Sequence, residues 1–341
     1  MIELVHPSDG SVVLTDSPAV NDYFENYVSG YGMKYYGLGE NLPMKSVRLE
    51  WKDGTAENYE VEISDNENFT SAEKYFTTEN FLELNGLIPN KKYFWRVSAA
   101  DKNGKEIISD TYSFETKGFV RTVPIDGVSN VRDLGGAVTS DGKTIKYGVL
   151  FRSANGDSIT EEGKKTIEKL GIKTDLDLRG NGEGNGSFIS PFGEKVKLIR
   201  ISGAYYDSDS DGPGVNGSEE YRNAFRDELK VCADPCNYPM IFHCAIGRDR
   251  TGTLALILQA LCGVEKENLL REYELSLLSV GGAFDNNRGM PQRVSAFYDF
   301  LNGLGGEELK DKPFKEKIEF LVKCLDVTGE EISSIRKILL Q

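Results

Sequence analysis

The chain has 341 residues, 39% of them hydrophobic and 28% charged, a size and composition that fit two folded domains and exclude a disordered chain. Its formal net charge of −14 argues against a protein that binds nucleic acid through a basic surface. The longest apolar stretch, residues 254–264, is too short for a membrane span, and the first twenty residues lack the basic segment of a signal peptide.

Five cysteines all lie in the second half of the chain. An odd number leaves at least one thiol free, so we expect no disulfide framework. Cys232 and Cys236 are near enough in sequence to pair, although two ordinary thiols is the simpler interpretation. The two histidines are His6 and His243, and they give no usual zinc-binding spacing with the cysteines, so we predict no bound metal.

Residues 1–117 are predicted to form an all-β domain. Short segments alternate between apolar and polar residues, and polar turn sequences separate them. Strands at this spacing are typical of a β-sandwich. The predicted strands cover residues 47–51, 59–64, 81–84, 93–99 and 110–116.

One segment of this domain is more specific. Residues 87–97 read Leu-Ile-Pro-Asn-Lys-Lys-Tyr-Phe-Trp-Arg-Val and resemble the corner between two strands of fibronectin type III modules. In those modules a Tyr that follows a Leu and a Pro bonds back to the backbone through its hydroxyl. Trp51 stands where such modules place a core tryptophan, and the resemblance covers residues 45–117. It implies a fibronectin type III-like sandwich that binds a protein or glycan partner or packs on the second domain.

Residues 15–45 do not fit this resemblance. They hold a cluster of aromatic residues among glycines, which is either a binding surface or a patch that packs against the second domain. Packing is the simpler interpretation. The aromatic residues are Tyr23, Phe24, Tyr27, Tyr31, Tyr35 and Tyr36.

Lys117-Gly118 marks the predicted boundary of a second domain, residues 118–341. From this point short apolar strands alternate with helical patterns, which indicates an α/β domain with a largely parallel sheet. Thr328 and Glu331 form a capping-box pattern for a C-terminal helix. The predicted strands cover residues 149–151, 174–178, 196–201 and 240–242, and the other predicted helices cover residues 160–170, 251–262, 265–278, 292–301 and 314–325.

The strongest functional signal lies between the last of these strands and the helix at 251–262. This run, residues 243–252, reads His-Cys-Ala-Ile-Gly-Arg-Asp-Arg-Thr-Gly. A short loop between a strand and a helix N-terminus turns consecutive backbone N–H groups inward and forms a phosphate-sized anion site. We therefore predict phosphate binding by a set of loop residues, which are Ala245, Ile246, Gly247, Arg248 and Thr251.

The side chains of the run indicate the chemistry. The helix dipole and the inward N–H groups favour a thiolate at Cys244, which is then a nucleophile facing phosphorus. Arg250 can hold two phosphate oxygens through its planar fork. Thr251 can hydrogen-bond the sulfur and help it to leave in a second step, and His243 is expected to orient the loop through hydrogen bonds to its backbone. The alternative is a structural loop with a buried cysteine.

The run resembles the active-site signature of the cysteine-dependent phosphatase superfamily, His-Cys-x-x-Gly-x-x-Arg-Ser/Thr-Gly. Residues 130–136, 150–154 and 177–179 also resemble segments of a bacterial branch that contains secreted tyrosine phosphatases with phosphoinositide activity. The loop of that branch has Lys where this chain has Arg248, which keeps the charge and alters its geometry. The resemblance covers residues 120–290. It implies phosphomonoester hydrolysis through a cysteinyl phosphate, with no metal and no organic cofactor.

The same branch has an Asp inside the loop as its general acid, and this residue corresponds to Asp249. The alternative role for Asp249 is a salt bridge to a neighbouring Arg that shapes the loop. Other candidates for the acid are Asp207, Asp209 and Asp211, for each of which a solvated acidic loop is the simpler interpretation.

Two further segments are predicted to support the site. In the resembled branch the segment that holds Arg132 and Asp133 supports the loop, and a purely structural ion pair is the alternative. Residues 272–276 also have a counterpart in the branch, and we interpret them as packing more than chemistry.

Arg152 and Arg179 each follow a predicted strand, at the edge where ligands bind in α/β sheets. Each of them either contacts substrate or is buried in a pair with Asp133 or Asp177. Both roles are consistent with the sequence.

Phosphotyrosine in proteins is the predicted substrate, with phosphoinositides as a second class. One alternative is an inositol-phosphate phosphatase, which a wide basic pocket rim would favour. Another is a catalytically idle phosphate-binding module, which the intact Cys244, Asp249 and Arg250 argue against. Because fibronectin type III modules in bacteria are often extracellular, an exported or cell-surface location is favoured over a cytoplasmic one.

Overall fold

The computed structural model describes residues 1–28, 45–53, 56–101, 103–180, 182–184, 186–203, 219–279 and 309–341. Contacts within the chain divide it into two compact units. The first unit holds Met1–Asp22 and Met44–Val123, and the second holds Tyr23–Pro43 and Pro124–Gln341. The domain boundary at 117/118 stays a prediction.

Most of the first unit is β-structure. Its strands are β1 (Glu3–His6), β2 (Ser11–Leu14), β3 (Val47–Lys52), β4 (Tyr59–Ser64), β5 (Glu73–Thr77), β6 (Phe81–Leu84), β7 (Lys92–Ala100), β8 (Glu106–Ile108), β9 (Tyr112–Lys117) and β10 (Arg121–Thr122). Helix α1 (Pro18–Glu25) begins in the first unit, and its residues from Tyr23 onward belong to the second. Three strands form an antiparallel sheet in the order β1-β3-β6. A second sheet has the order β2-β9-β7-β4-β5, with β8 beside β7, and is antiparallel except at the β2–β9 pair.

Buried apolar residues alternate with more exposed ones along these strands, and the buried side chains form the core of the first unit. In β3 every second residue is buried, ending with Trp51, and Trp95 of β7 is likewise fully buried. Near the start of β7, the Tyr93 hydroxyl accepts a hydrogen bond from the Ile88 N–H at 3.0 Å. This is the backbone contact expected from the sequence of residues 87–97.

The second unit is an α/β domain. Its strands are β11 (Arg132–Asp133), β12 (Leu150–Ser153), β13 (Thr174–Asp177), β14 (Lys197–Arg200) and β15 (Met240–His243). Its helices are α2 (Glu161–Leu170), α3 (Glu219–Ala233), α4 (Asp249–Cys262), α5 (Lys266–Glu274), α6 (Phe314–Lys323) and α7 (Gly329–Leu339), with 3₁₀ turns at Pro235–Asn237 and Leu275–Leu278. These strands lie in the order β11-β12-β15-β13-β14, and all except β11 are parallel to their neighbours. The predicted α/β fold with a mostly parallel sheet is confirmed, while the helix predicted at 292–301 lies outside the described residues.

Strand β15 lies between its parallel neighbours β12 and β13. All four of its residues are buried, and α4 is buried along its whole length. The chain therefore passes from the middle of the sheet through residues 244–248 directly into a buried helix. This places the loop at the carboxyl ends of parallel strands, where α/β proteins bind ligands.

The described part of the aromatic segment packs inside the second unit. Tyr23 is buried and donates a hydrogen bond to the Arg271 carbonyl at 2.8 Å. Tyr27 donates to the Glu274 carboxylate at 3.4 Å. Both partners belong to α5, so these two residues fit the packing interpretation. The predicted members of the cluster from residue 29 onward lie outside the described residues.

All five cysteines are free thiols, so Cys232 and Cys236 are not paired. Within the described ranges, no helix has both the length and the apolar character that a membrane span requires. The same ranges hold no group of three or more His, Cys, Asp or Glu side chains placed to bind a metal ion.

Candidate active site

Residues 244–248 form a tight loop between β15 and α4. Gly247 has a φ of +71°, a left-handed conformation that favours glycine. A Cβ atom at this position would also collide with the carbonyl of Ser153 at the end of β12. Gly247 is therefore required both for the turn of the loop and for its close approach to the neighbouring strand.

Two asparagines hold the outer side of the loop. Asn155 donates a hydrogen bond to the carbonyl of Ala245 at 2.7 Å, and Asn130 donates to the carbonyls of Ile246 and Gly247 at 3.1 and 3.0 Å. Because the N–H and C=O of a trans peptide point in opposite directions, outward carbonyls leave the N–H groups facing the interior of the loop. Together with the N-terminus of α4, these N–H groups can bind an anion.

A buried ion-pair network supports the loop from behind. Arg152 donates to the Gly247 carbonyl at 2.6 Å and to the Glu272 carboxylate at 2.5 Å. Arg132 donates to the other oxygen of Glu272 at 2.8 Å and to the side-chain oxygen of Asn130 at 2.5 Å. Burial disfavours the charged form of Glu272, but the two guanidinium groups outweigh it and lower the pKa of that carboxyl. Glu272 thus fixes both arginines, which in turn fix the loop.

For these arginines the sequence analysis left a pair with Asp133 as one alternative, and the structure shows other partners. Arg132 and Arg152 are register partners in β11 and β12, so both side chains lie on the same face of the sheet. Asp133 takes the opposite face, where it accepts hydrogen bonds from two backbone N–H groups. Arg152 therefore pairs with α5 rather than with Asp133. Residues 272–276, interpreted from the sequence as packing more than chemistry, include Glu272, the shared carboxylate of this supporting network.

Cys244 begins the loop and is only 2% exposed. Burial disfavours its thiolate, but the charge of Arg250 and the nearby polar groups of Thr251 outweigh that effect and lower the pKa of Cys244. A lowered pKa increases the thiolate fraction at neutral pH. A thiolate is the nucleophilic form of cysteine, so this shift is in the direction that the predicted role of Cys244 requires.

His243 is fully buried at the end of β15. Its Nδ1 atom donates to the Cys244 carbonyl at 3.1 Å, and its Nε2 atom lies 3.0 Å from a carboxylate oxygen of Asp175. Burial disfavours the imidazolium, but Asp175 and Asp177 outweigh it and raise the pKa of His243. The side chain thus holds the backbone at the start of the loop, which is the role expected from the sequence.

Arg250 lies in the first turn of α4 and has an acidic partner that the sequence analysis missed. Its Nη1 and Nη2 atoms donate to the two carboxylate oxygens of Glu183 at 2.5 and 3.0 Å, and Nη1 also donates to the Leu178 carbonyl at 3.3 Å. The hydrogen bonds from Arg250 lower the pKa of Glu183. The available signal is that Glu183 is the single acidic residue in the glycine-rich segment 180–187.

Asp249 is engaged through both of its carboxylate oxygens. Arg248 donates to them from Nε and Nη2, each at 3.1 Å, and the hydroxyl of Tyr273 donates at 3.1 Å. Gly252 permits this approach, because a Cβ atom there would lie 2.8 Å from a carbon of the Tyr273 ring. The salt bridge to a neighbouring Arg, which is the alternative predicted for Asp249, is therefore present.

Arg179 and Asp177 form a second buried network next to His243. Arg179 donates to both oxygens of Asp177 at 2.9 and 3.0 Å and to Asp157 at 2.6 Å. Arg200 adds a hydrogen bond to Asp177 at 3.1 Å. Burial disfavours the Asp177 carboxylate, but Arg179 and His243 outweigh it and lower the pKa of Asp177. Of the two roles predicted for Arg179, the structure shows the pair with Asp177.

Glu228 of α3 is a buried acid beside this site. Among the residues that the structure describes, none forms a hydrogen bond with its Oε1 atom, which lies against Gly203. Burial raises the pKa of Glu228 well above its usual range, although the charge of Arg250 opposes this shift. Burial therefore favours the neutral, protonated form of this carboxyl group. A glutamate in a polar helical pattern gives no sequence signal for such a position.

The family follows from comparison with known proteins. Residues 123–341 match the tyrosine phosphatase family, and this range includes the loop, both buried networks and every helix from α2 onward. The chain belongs to the tyrosine phosphatase family. The match begins close to residue 120, where the resemblance seen in the sequence also begins.

Three relatives of this family member carry phosphatase names. A protein of Cupriavidus necator that is named as a tyrosine-protein phosphatase is 27% identical over 168 residues, covering 43% of this chain and 60% of that protein. A tyrosine-protein phosphatase of Nostoc commune is 28% identical over 141 residues, covering 37% of this chain and 48% of that protein. The triple specificity protein phosphatase PtpB of Mycobacterium tuberculosis is 28% identical over 194 residues, covering 45% of this chain and 68% of that protein. The chain thus spans about half to two thirds of the length of these curated relatives.

Among solved structures, the core catalytic domain of the PP-IP phosphatase SIW14 from S. cerevisiae, in complex with citrate, is 17% identical, with a TM-score of 0.32. The match covers 53% of this chain and 97% of that chain.

In this tyrosine phosphatase family member, one loop brings together most of the predicted site residues, which are residues 243–251, residues 177–179 and Arg152. Arg132 does not bond the loop itself but contacts Asn130, which does. The alternative acid candidates at 207–211 lie outside the described residues. Side chains that complete the site without having been predicted to do so are Asn130, Asn155, Asp157, Asp175, Glu183, Glu228, Glu272 and Tyr273.

Proposed function

We propose that the chain is a phosphomonoesterase that hydrolyses phosphotyrosine in proteins through a cysteinyl-phosphate intermediate. The observation that carries this proposal is the lowered pKa of Cys244 at the start of a loop whose N–H groups face inward. A thiolate in an anion site that also holds Arg250 is placed to attack phosphorus. Family membership supports the same chemistry.

The proposed reaction has two steps. In the first, the Cys244 thiolate attacks phosphorus, the P–O bond to the tyrosine oxygen breaks, and Asp249 gives that oxygen a proton. In the second, water attacks the cysteinyl phosphate, the P–S bond breaks, Asp249 takes a proton from the water, and inorganic phosphate leaves. Arg250 and the loop N–H groups stabilise the phosphoryl oxygens in both steps, and Thr251 hydrogen-bonds the sulfur as it departs.

We propose that the loop binds phosphate through its backbone N–H groups, which are those of Ala245, Ile246, Gly247 and Arg248. The side chain of Arg248 is buried and bonded to Asp249, so its contribution to phosphate binding comes from the backbone.

The supporting residues act on the loop rather than on the substrate. We assign positioning of the loop to His243, Arg132 and Arg152, which hold its carbonyls or the asparagine that bonds them. Arg179 positions His243 indirectly, because it fixes the Asp177 carboxylate that lies 3.9 Å from Nδ1 of the imidazole.

Burial of the nucleophile favours tyrosine over serine or threonine. Since Cys244 is almost completely buried, the phosphate must extend far from the backbone of the substrate to reach it. The phenol ring of tyrosine provides that length, and a serine side chain does not. Phosphoinositides are the second candidate substrate class, and the resemblance of residues 130–136 to the bacterial branch supports them.

For the first unit we propose a fibronectin type III-like sandwich that binds a protein or glycan partner. Two packed sets of strands, the buried Trp51 and the hydrogen bond between Tyr93 and Ile88 support this proposal. An exported or cell-surface location is part of the same proposal.

The test is phosphate release by the purified full chain from a panel of substrates. The panel contains a phosphotyrosine peptide, a phosphoserine peptide, short-chain phosphoinositides and free inositol phosphates. We expect release from phosphotyrosine that disappears in Cys244→Ser and persists in Cys236→Ser, a matched control at an exposed thiol. No release from any substrate, with phosphate still bound by Cys244→Ser, would show a binding module instead of an enzyme.

A further inference from the structure

On the basis of the proposed function, we propose that Tyr23 and Tyr27 are positioning residues of the phosphatase site and act on it through helix α5. Tyr23 is buried, and its hydroxyl donates a hydrogen bond to the Arg271 carbonyl at 2.8 Å. Tyr27 donates to the Glu274 carboxylate at 3.4 Å, and the guanidinium of Arg271 lies 4.9 Å from the centre of the Tyr27 ring. Three contacts therefore join the two tyrosines to the last turn of α5.

The other face of this turn carries the contacts to the active site. Glu272 bonds Arg132 and Arg152, and the hydroxyl of Tyr273 donates to Asp249 at 3.1 Å. Successive residues of a helix are about 100° apart, so the two positions between residues 271 and 274 point away from the face that the tyrosines contact. One face of the turn is thus fixed by the tyrosines, while the other fixes the site.

Both tyrosine hydroxyls remain hydrogen-bond donors across the physiological pH range. Burial raises the pKa of Tyr23 well above its usual range, and burial together with the Glu274 carboxylate raises the pKa of Tyr27. The two rings also pack edge to face, with centroids 5.5 Å apart. Their hold on α5 therefore does not depend on an ionisation in this range.

The two tyrosines precede the range matched by the family. That match begins at residue 123, yet the residues from Tyr23 belong to the second unit. The chain enters the second unit at Tyr23, returns to the first at Met44 and enters the second again at Pro124. Part of the support of α5 therefore comes from a segment outside the family range.

The orientation of α5 affects phosphate binding because the contacts that follow it are short and buried. Glu272 holds Arg152, and Arg152 donates to the Gly247 carbonyl at 2.6 Å. A shift of α5 would move this guanidinium and rotate the peptide that it bonds, which redirects N–H groups of the loop. Hydrogen bonds weaken steeply when their geometry departs from linear, so the loop would hold an anion less well.

The test is the affinity of the full chain for inorganic phosphate, measured by calorimetry in a Cys244→Ser background. We expect Tyr23→Phe to weaken phosphate binding about threefold to tenfold, because the loss of one hydrogen bond changes an equilibrium constant by about this factor. Tyr27→Phe removes a longer bond and keeps the ring beside Arg271, so it should weaken phosphate binding less. With Cys244 intact, kcat/KM for a phosphotyrosine peptide should fall in the same order.

Tyr238→Phe is the matched control. Tyr238 is also buried in the second unit and donates to a backbone carbonyl, that of Cys232, at 2.7 Å, but it precedes β15 whereas the loop follows that strand. Its variant should lower the Tm as Tyr23→Phe does and leave the phosphate affinity within about twofold of its starting value.

The inference is overturned by an unchanged phosphate affinity in Tyr23→Phe or by an equal loss of affinity in Tyr238→Phe, since either result shows a purely structural role. Thermal unfolding curves establish which variants are folded, and if Tyr23→Phe does not fold, the affinity of Tyr27→Phe decides. If the wild type hydrolyses no phosphorylated substrate, the proposed function fails while the phosphate affinities still test the inference. Absence of phosphate binding by Cys244→Ser and by the wild type would overturn both.

Discussion

Arg152 and Glu272 form an ion pair at 2.5 Å that connects helix α5 to the loop between β15 and α4. The same guanidinium donates to the Gly247 carbonyl at 2.6 Å, so the pair acts directly on the backbone of the loop. Arg152 is completely buried, which makes the geometry stiff and the loss of its partner costly. The shape of the anion site therefore depends on a residue that takes no part in the chemistry.

Glu272→Gln should destabilise the protein by about 3–5 kcal/mol, because two buried arginines lose their shared negative charge. Chemical denaturation of the full chain measures this change, and kcat/KM for phosphotyrosine should fall with it. Glu265→Gln, at the exposed start of α5, is the control and should stay close to the wild type. A Glu272→Gln variant within about 1 kcal/mol of the wild type would show that the network is dispensable.

Gly247→Ala should destabilise the protein and abolish phosphate binding. The substitution is unfavourable for two reasons. Residues other than glycine rarely adopt the left-handed φ of this position, and the added Cβ atom would collide with the Ser153 carbonyl. Gly171 is a matched control, since its φ is +66° and no atom lies within 4 Å of an added Cβ. We expect Gly171→Ala to cost about 1 kcal/mol and Gly247→Ala about 1–3 kcal/mol more, measured by denaturant unfolding. Equal costs at both positions would rule out the collision.

The variant Asp249→Asn distinguishes the two roles considered for Asp249, which are general acid and ion-pair partner of Arg248. If Asp249 protonates the leaving oxygen, the variant should lose about 100-fold in kcat/KM on phosphotyrosine and much less on p-nitrophenyl phosphate, whose leaving group needs no proton. If Asp249 only shapes the loop through Arg248, both substrates should lose equally. Tyr273→Phe removes one donor to Asp249 and keeps the carboxylate, so it should show a small and equal loss on both substrates.

The parts of the site that could be predicted are contiguous in the sequence. Cys244 begins the loop and Arg250 lies in the first turn of the helix that follows it. The strand before the loop and this helix are both strongly apolar, so local pattern is sufficient to predict the two residues. The corner at Tyr93 is local in the same sense. Order within the sheet is not local, and the sequence alone does not show that β12 lies beside β15.

The order of the strands in the sheet explains why Asn155 and Glu272 were not predicted as site residues. Ser153 is the register partner of His243, which brings the end of β12, and with it Asn155, against the loop. Glu272 reaches the same place from a helix more than 100 residues further along the chain. Residue type gives no guide to such contacts, because asparagine and glutamate are common in exposed turns and helices. A pair of Arg152 with Asp133, one of the alternatives considered from the sequence, is not formed for a related reason, because neighbouring residues of a strand point to opposite faces of the sheet.

The first unit should lose stability as the pH rises, because of Asp16. This residue is buried and accepts a hydrogen bond from the Phe119 N–H, yet burial outweighs that bond and raises the pKa of Asp16 to about 6. The folded protein therefore holds the proton more tightly than the unfolded chain does. Its contribution to stability is complete below about pH 4 and is lost as the pH rises through 6, a loss of about 2–3 kcal/mol.

Asp16→Asn keeps an oxygen that can accept from the Phe119 N–H and removes the ionisation. We expect its thermal unfolding to be less dependent on pH between 4 and 7 and its Tm to exceed that of the wild type above pH 6. Asp9→Asn should behave in the opposite way, because hydrogen bonds from Ser113 lower the pKa of Asp9 and its contribution is lost as the pH falls. A wild-type Tm that rises between pH 4 and 6 in parallel with that of Asp16→Asn would show that Asp16 does not ionise in this range.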